Sequence, residues 1–247
     1  MGVREQTGFT IIEVMLFLAV TGLLAIGILV GSGVAISQQR YRDSVNTLRS
    51  YIQQQYSEVA NVVNGREKSW TCDSNGAVNS ADAGSGEFRG TSDCVILGRY
   101  INIDATGTKL TTSNVTGYRI AGAPTGSSDI DEINNYKLGI STVDQDSSEV
   151  NWGAQVVKPK STNAMPLSVL IIRSPLSGSI LTFTAEGPQP TSLNTLVALA
   201  NTNTARDLCV NADASAFASK RMEVRISAYA ASQTAIQVPV ESDSVCD

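Results

Sequence analysis

One glutamate in an apolar run constrains this chain more than any other feature. Residues Phe9 to Ile36, FTIIEVMLFLAVTGLLAIGILVGSGVAI, form a stretch of 28 residues in which Glu13 is the only charge. A bilayer core is crossed by about 20 apolar residues in a helix, so the run is long enough to span. A carboxylate inside such a segment costs roughly 2–4 kcal/mol on insertion scales and marks function by default. Eight residues, MGVREQTG, precede Phe9. They are too few for a cytosolic domain, and the switch from polar to apolar falls abruptly at Gly8–Phe9.

A cleaved secretory signal would need a basic start, a short apolar stretch and small residues at its end. Here Arg4 is offset by Glu5, the apolar run is longer, and Glu13 interrupts it. A plain signal anchor is the other reading. Charge counting opposes an outward-facing body, because Arg40, Arg42 and Arg49 follow the span and Arg4 alone precedes it, and basic residues tend to stay on the cytoplasmic side.

Gly8-Phe9-Thr10-Ile11-Ile12-Glu13 resembles the class III signal of type IV prepilins and pseudopilins. In that family a short polar leader ends in glycine, phenylalanine follows, and glutamate is the fifth mature residue. Gly22 falls where many members carry glycine. The close resemblance covers about the first 35 residues and, more loosely, the helix to Val63. It implies a leader at 1–8 and a stem helix at 9–65 with its membrane span at 9–36; it says little about 66–247, which the strand patterns given below make a β-rich, pilin-like head. It further implies that a prepilin peptidase cuts after Gly8 and methylates the new amine on Phe9. The chain would first be a single-pass precursor in the cytoplasmic membrane, with the head outside the cytoplasm. An inner-membrane assembly platform would then add it to other pilin subunits, in an extracellular pilus or a periplasmic filament. Glu13 would meet a counter-ion there, the Phe9 amine of its own or a neighbouring subunit, and set register. The positive-inside bias is overruled on this motif and on the cysteines.

Removing eight residues from 247 leaves 239, larger than many major subunits of the family, so a minor pilin or pseudopilin is preferred. Glu13 argues against the tip-type pseudopilin that lacks it. The family often has a proline at the position of Val30. Here Gly27, Gly31 and Gly33 cluster instead, either to let the helix unwind locally or to let neighbouring helices approach closely. The alternatives in function are a membrane-anchored exported binding domain that does not polymerise and a DNA-binding competence pilin.

Composition bounds the chemistry. The chain has no histidine, which removes histidine-based triads, dyads and metal sites, and no enzymatic activity is expected. The net charge of −5 does not favour nucleic acid. Lys220, Arg221 and Arg225 are the one tight basic group of the C-terminal half. Arg225 should share a solvated strand face with Glu223. No cofactor is expected. Calcium is the weaker alternative, at Asp144, Asp146 and Glu149 or at Asp129, Asp131 and Glu132, and solvated acidic loops are the preferred reading of both. Neither set has the glycine and spacing of an EF-hand.

Cys72, Cys94, Cys209 and Cys246 lie outside the apolar run, and none is spaced for zinc. An even count fits disulfides in an exported domain, with three connectivities open, and four reduced buried thiols are the other reading. The sequence-local pairs Cys72–Cys94 and Cys209–Cys246 are preferred. The resemblance supports the second, since the family often staples its C-terminal region.

Periodicity continues the helix. Tyr41, Val45, Leu48, Ile52, Gln55, Val59 and Val63 step by three or four and form one face. Arg42, Asn46, Arg49, Gln53 and Glu58 lie opposite, and Asn64-Gly65 is the expected end. Residues 66–93 read as a polar loop. Strands are expected at Cys94–Leu97 and Arg99–Ile103, bent at Gly98, at Val115–Ile120, in a hairpin of Ser168–Arg173 with Ile180–Thr184, at Met222–Ser227 and at Ala235–Val238. A short helix is expected around Leu193, Leu196, Val197 and Ala200. The fold class is α+β, a long helix packed on an antiparallel sheet domain.

Overall fold

A computed structural model describes residues 10–61, 70–80, 92–199, 204–212, 220–239 and 245–246. The architecture is mixed α+β: a long N-terminal helix, apolar along its first half, and antiparallel sheets. Helix α1 (Ile11–Ala60) is continuous for 50 residues, about 75 Å at 1.5 Å per residue. Thr10 caps its start and Asn61 its end. The expected terminus Asn64-Gly65, Val63, and both Gly8 and Phe9 lie outside the described residues.

The described residues of the head form three sheets. A small hairpin joins β1 (Trp70–Cys72) to β2 (Val78–Ser80). Five strands follow: β3 (Cys94–Ile103), β4 (Lys109–Arg119), β5 (Tyr136–Glu149), β7 (Leu167–Arg173) and β8 (Ile180–Glu186). They run antiparallel in the order β5-β4-β3-β7-β8. A third sheet is ordered β11-β10-β9-β6, from β6 (Gln155–Val157), β9 (Arg206–Asn211), β10 (Met222–Ile226) and β11 (Ile236–Gln237). Two short helices, α2 (Asp129–Asn134) and α3 (Leu193–Leu199), complete the order.

Strand β7 explains how these layers meet. Its sequence LSVLIIR is buried at every position but the last, so both faces of the sheet are covered. Leu167, Val169 and Ile171 join the outer half of α1, Ile101 and Ile103 of β3, and Val156, Leu208, Val210, Val224, Ile226 and Ile236 of the four-stranded sheet in one core. The alternate residues Leu170 and Ile172 join Tyr100, Phe183, Ile133 of α2, and Leu193, Leu196 and Val197 of α3 in a second core. The outer half of α1 thus packs against both larger sheets.

The stripe expected on α1 is the buried one: Tyr41, Val45, Leu48, Ile52, Gln55 and Val59, widened by Ser44 and Tyr56. Gln55 is no gap in it. Its Oε1 accepts from Arg99 Nε at 2.9 Å, and Arg99 also reaches Asn114 Oδ1 and Glu58 Oε2, each at 2.8 Å. Arg49, Gln53 and Glu58 form the half-buried margins of the stripe rather than a solvated back. Arg49 Nε and Gln53 Nε2 both donate to Ile236 O.

Several expectations need correction. The region read as a polar loop contains the β1–β2 hairpin. Asn75-Gly76 is its turn, where Asp73 Oδ1 accepts the Asn75 and Ala77 N–H groups and Gly76 takes φ +79°. Strands of three residues are too short to show a period. Val115–Ile120 is only the end of β4, whose first half is rich in Thr and Ser. Strands β5, β6 and β9 were not expected. The bend at Gly98 is a bulge between Ile96 and Gly98, where a Cβ would lie 1.9 Å from Ile171 O.

Candidate functional site

Two environments divide α1 at Arg40. From Ile11 to Arg40 no residue is buried, and Ile11, Ile12, Met15, Leu16, Phe17, Leu23, Ile28 and Leu29 are exposed large apolar side chains. From Tyr41 onward one face enters the core. The first half is long and apolar enough to cross a membrane. Two of its polar side chains, Thr21 and Ser32, are satisfied within the helix. Thr21 Oγ1 donates to Phe17 O at 2.8 Å, and Ser32 Oγ donates to Leu29 O at 3.1 Å. A helix meets the demands of hydrocarbon in this way, since lipid offers no hydrogen bonds.

Glu13 lies exposed in the first turn, where the helix dipole favours a negative charge. Its N–H donates to Thr10 Oγ1 at 3.3 Å. Thr10-Ile11-Ile12-Glu13 therefore has the spacing of a capping box, and the threonine half of that box is formed. Thr10 is a site residue that sequence reasoning passed over, although the T-x-x-E spacing was the available signal. Gly8 and Phe9 lie outside the described residues.

Gly22, Gly27, Gly31 and Gly33 have open space where a Cβ would stand, so no contact among the described residues requires them to be glycine. The helix passes through all four without interruption.

Both preferred disulfides are formed. Cys72–Cys94 ties β1 to the start of β3, with Cα atoms 6.1 Å apart. Cys209–Cys246 ties β9 to the C-terminal segment, with Cα atoms 5.5 Å apart. Cys209, Cys246 and Val157 form a small buried cluster of their own.

The acidic segment read as a solvated loop is a strand. Asp144, Asp146 and Glu149 all lie on β5, with Asp146 opposite Thr112 and Glu149 opposite Lys109. Extended backbone holds residues 146 and 149 about 10 Å apart along the strand. The second set is helix rather than loop. Ser128 caps α2, and Asp129, Asp131 and Glu132 fill its first turn. Asp129 accepts from Ser174 Oγ at 2.6 Å, Asp131 from Ser127, and Glu132 from Arg119, the Gly126 N–H and Asn135. These hydrogen bonds hold all three carboxyls below their ordinary range. Among the described residues no three Cys, Asp or Glu side chains are gathered to hold a metal ion.

The strand face carrying Arg225 is not solvated. Glu223 beside it is 1 % exposed, and Val245 N–H donates to its Oε2 at 2.9 Å. Burial raises the Glu223 carboxyl pKa, against the Val245 bond, and the nearby Asp207 adds to the rise. Arg225 Nε donates to Asp207 Oδ1 at 2.6 Å, and its Nη2 lies 2.9 Å from Glu223 Oε1. Arg221 Nη1 donates to Ser161 O at 2.9 Å. Arg221 and Arg225 of the basic group are thus engaged by the head itself.

The chain matches no protein-family model, no curated protein and no solved structure. The class of protein defined by fold and site is a β-rich head carried on a long helix whose first half is an exposed apolar rod.

Proposed function

We propose that the chain is a structural subunit, a minor pilin or pseudopilin, of a type IV pilus or a related type II secretion-like filament. The observation that carries this reading is the division of α1: an apolar half in which no residue is buried, and a half locked into the core. So much exposed apolar surface demands a lipid or protein environment. A bilayer supplies it before assembly, and a bundle of identical stems supplies it in a filament.

In this reading a prepilin peptidase removes residues 1–8 and methylates Phe9. Glu13 begins at the cytoplasmic headgroup layer. When the stem is extracted, its charge is buried and needs a counter-ion, because an unpaired buried charge costs several kcal/mol. The Phe9 amine is the partner, and the pair penalises wrong axial offsets. Apolar burial supplies most of the cohesion. Two disulfides fit a head folded outside the cytoplasm. Two of the three arginines that oppose this orientation have structural work: Arg49 bonds Ile236 O, and Arg40 lies over the Trp152 ring.

The test is fractionation together with the mass of the purified chain. A filament subunit is released by shear and begins at an N-methylated Phe9, and Gly8→Arg leaves the leader attached. A chain that stays with membranes after shear supports the non-polymerising anchored domain. A mature chain that begins at Met1 overturns the processing step.

A further inference from the structure

We propose that the base of the head rests on the membrane, with the Trp152 indole and the Arg40 guanidinium seated in the phospholipid headgroup layer. The proposal rests on reading α1 as a membrane span, and it concerns the state before any filament forms.

The first observation is a match of lengths. No charge lies between Glu13 and Arg40. As helix that stretch measures about 40 Å, the thickness of a bilayer including both headgroup layers. With Glu13 in one headgroup layer, Arg40 falls in the other. Ile36, the last residue of the apolar run, lies about 6 Å below Arg40 along the axis, roughly the depth of one headgroup layer.

The second observation is Trp152 itself. It belongs to a 3-10 turn, Asn151–Gly153, immediately before β6. The Arg40 guanidinium carbon lies 4.8 Å from the centroid of the Trp152 ring, which places the indole beside the foot of the stem. Even with the guanidinium against the ring, Trp152 is 56 % exposed. Its backbone is left-handed, with φ 60° and ψ 33°. Bulky residues seldom adopt that conformation, and it is kept where surrounding structure enforces it. A tryptophan beside an arginine at the end of a span is the side-chain chemistry of a membrane interface: an amphipathic ring at headgroup depth and a cation for phosphate.

Charge near this pole separates a bilayer from a polyanion. Arg42 is exposed one residue beyond Tyr41, but Asp43 is its exposed neighbour. The β3–β4 turn, which meets β6 through the Val156 N–H to Gly107 O bond, carries Asp104. Mixed charge around one aromatic suits zwitterionic and anionic headgroups, not a nucleic-acid backbone.

The test uses the full chain in phosphatidylcholine–phosphatidylglycerol vesicles. Trp70 and Trp152 are the two tryptophans, so Trp70→Phe leaves Trp152 as the sole indole reporter. Lipids brominated high on their chains should quench its emission about twofold, and lipids brominated near the chain ends should quench it less. Aqueous acrylamide should quench it weakly. Arg40→Gln should weaken the shallow quenching and raise access to acrylamide. Resistance to alkaline extraction reports integration separately. An integrated chain whose Trp152 ignores brominated lipid and is freely quenched by acrylamide overturns the headgroup contact alone. A chain extracted at alkaline pH overturns the span and the contact together.

Discussion

Glu13 has two roles open to it, and one pair of substitutions separates them. As the last residue of a capping box it needs only a side-chain acceptor, which glutamine supplies as well as glutamate. As the counter-ion of a buried amine it needs its charge. If the proposed filament role holds, Glu13→Gln and Glu13→Ala should both be expressed and have residues 1–8 removed, and both should enter sheared filaments far less than the parent chain. Normal entry of the Gln variant with loss of the Ala variant would leave the cap as the working role. Glu223 is the second informative residue. Its raised pKa means that the folded state holds this proton more tightly than the unfolded chain. The stabilisation from that proton is complete below the unfolded value of about 4.3 and is lost as pH rises through the raised folded value. Asp129, Asp131 and Glu132 act with the opposite sign, stabilising above the ordinary carboxylate range and failing as pH falls through their depressed values. Thermal melts of Glu223→Gln should therefore match the parent below pH 4 and exceed it near neutrality, while acid unfolding below pH 4 persists. A variant less stable than the parent at pH 7 would show the Val245 and Arg225 contacts to be worth more than the burial of charge.

At the scale of elements, α1 is held by its buried stripe and by hydroxyls that finish other elements' hydrogen bonding. Ile52 is 1 % exposed in the larger core. Ile52→Ala should cost about 2–5 kcal/mol of unfolding free energy, measured by denaturant titration, whereas Val30→Ala on the bare half should leave head stability unchanged. Tyr41 Oη receives the Met222 N–H at 2.7 Å and donates to Val210 O at 2.6 Å, so it closes the β9–β10 ladder where Met222 pairs with Val210. Tyr56 Oη and Thr182 Oγ1 lie 2.9 Å apart, and Thr182 donates to Ala230 O. Burial pushes the Tyr56 hydroxyl up to about 12. Tyr41→Phe should cost about 1–3 kcal/mol, because it strips a partner from two backbone groups already paired away from water.

For the whole molecule, the chain ends matter. The Cys209–Cys246 bond joins β9 to the final segment across 37 residues, and Glu223 beneath it receives the Val245 N–H. Cys209→Ser with Cys246→Ser should lower stability by about 3–4 kcal/mol in the chain-entropy view. It should also increase hydrogen exchange at Val245, which the paired bonds otherwise hold. An unchanged denaturation midpoint would mean that the segment is held by its other contacts.

Sequence alone determined the parts of this protein whose cause is local. The apolar rod with its lone acid, the stripe that buries Tyr41 to Val59, the β7–β8 hairpin and the bulge at Gly98 each announce themselves through period, hydropathy or a steric exception. Both cystine pairs were preferred on sequence separation. Tertiary structure decided what depends on partners distant in the chain. Strand β5 is polar enough to pass for a loop, and only ten paired positions with β4 make it a strand. Glu223 looks solvent-facing until the C-terminal segment lies over it. Arg40 and Trp152 are more than a hundred residues apart, and no local pattern could bring a guanidinium onto that ring. Short-range sterics and hydropathy act within a few residues, whereas burial and ion pairing are properties of the packed whole.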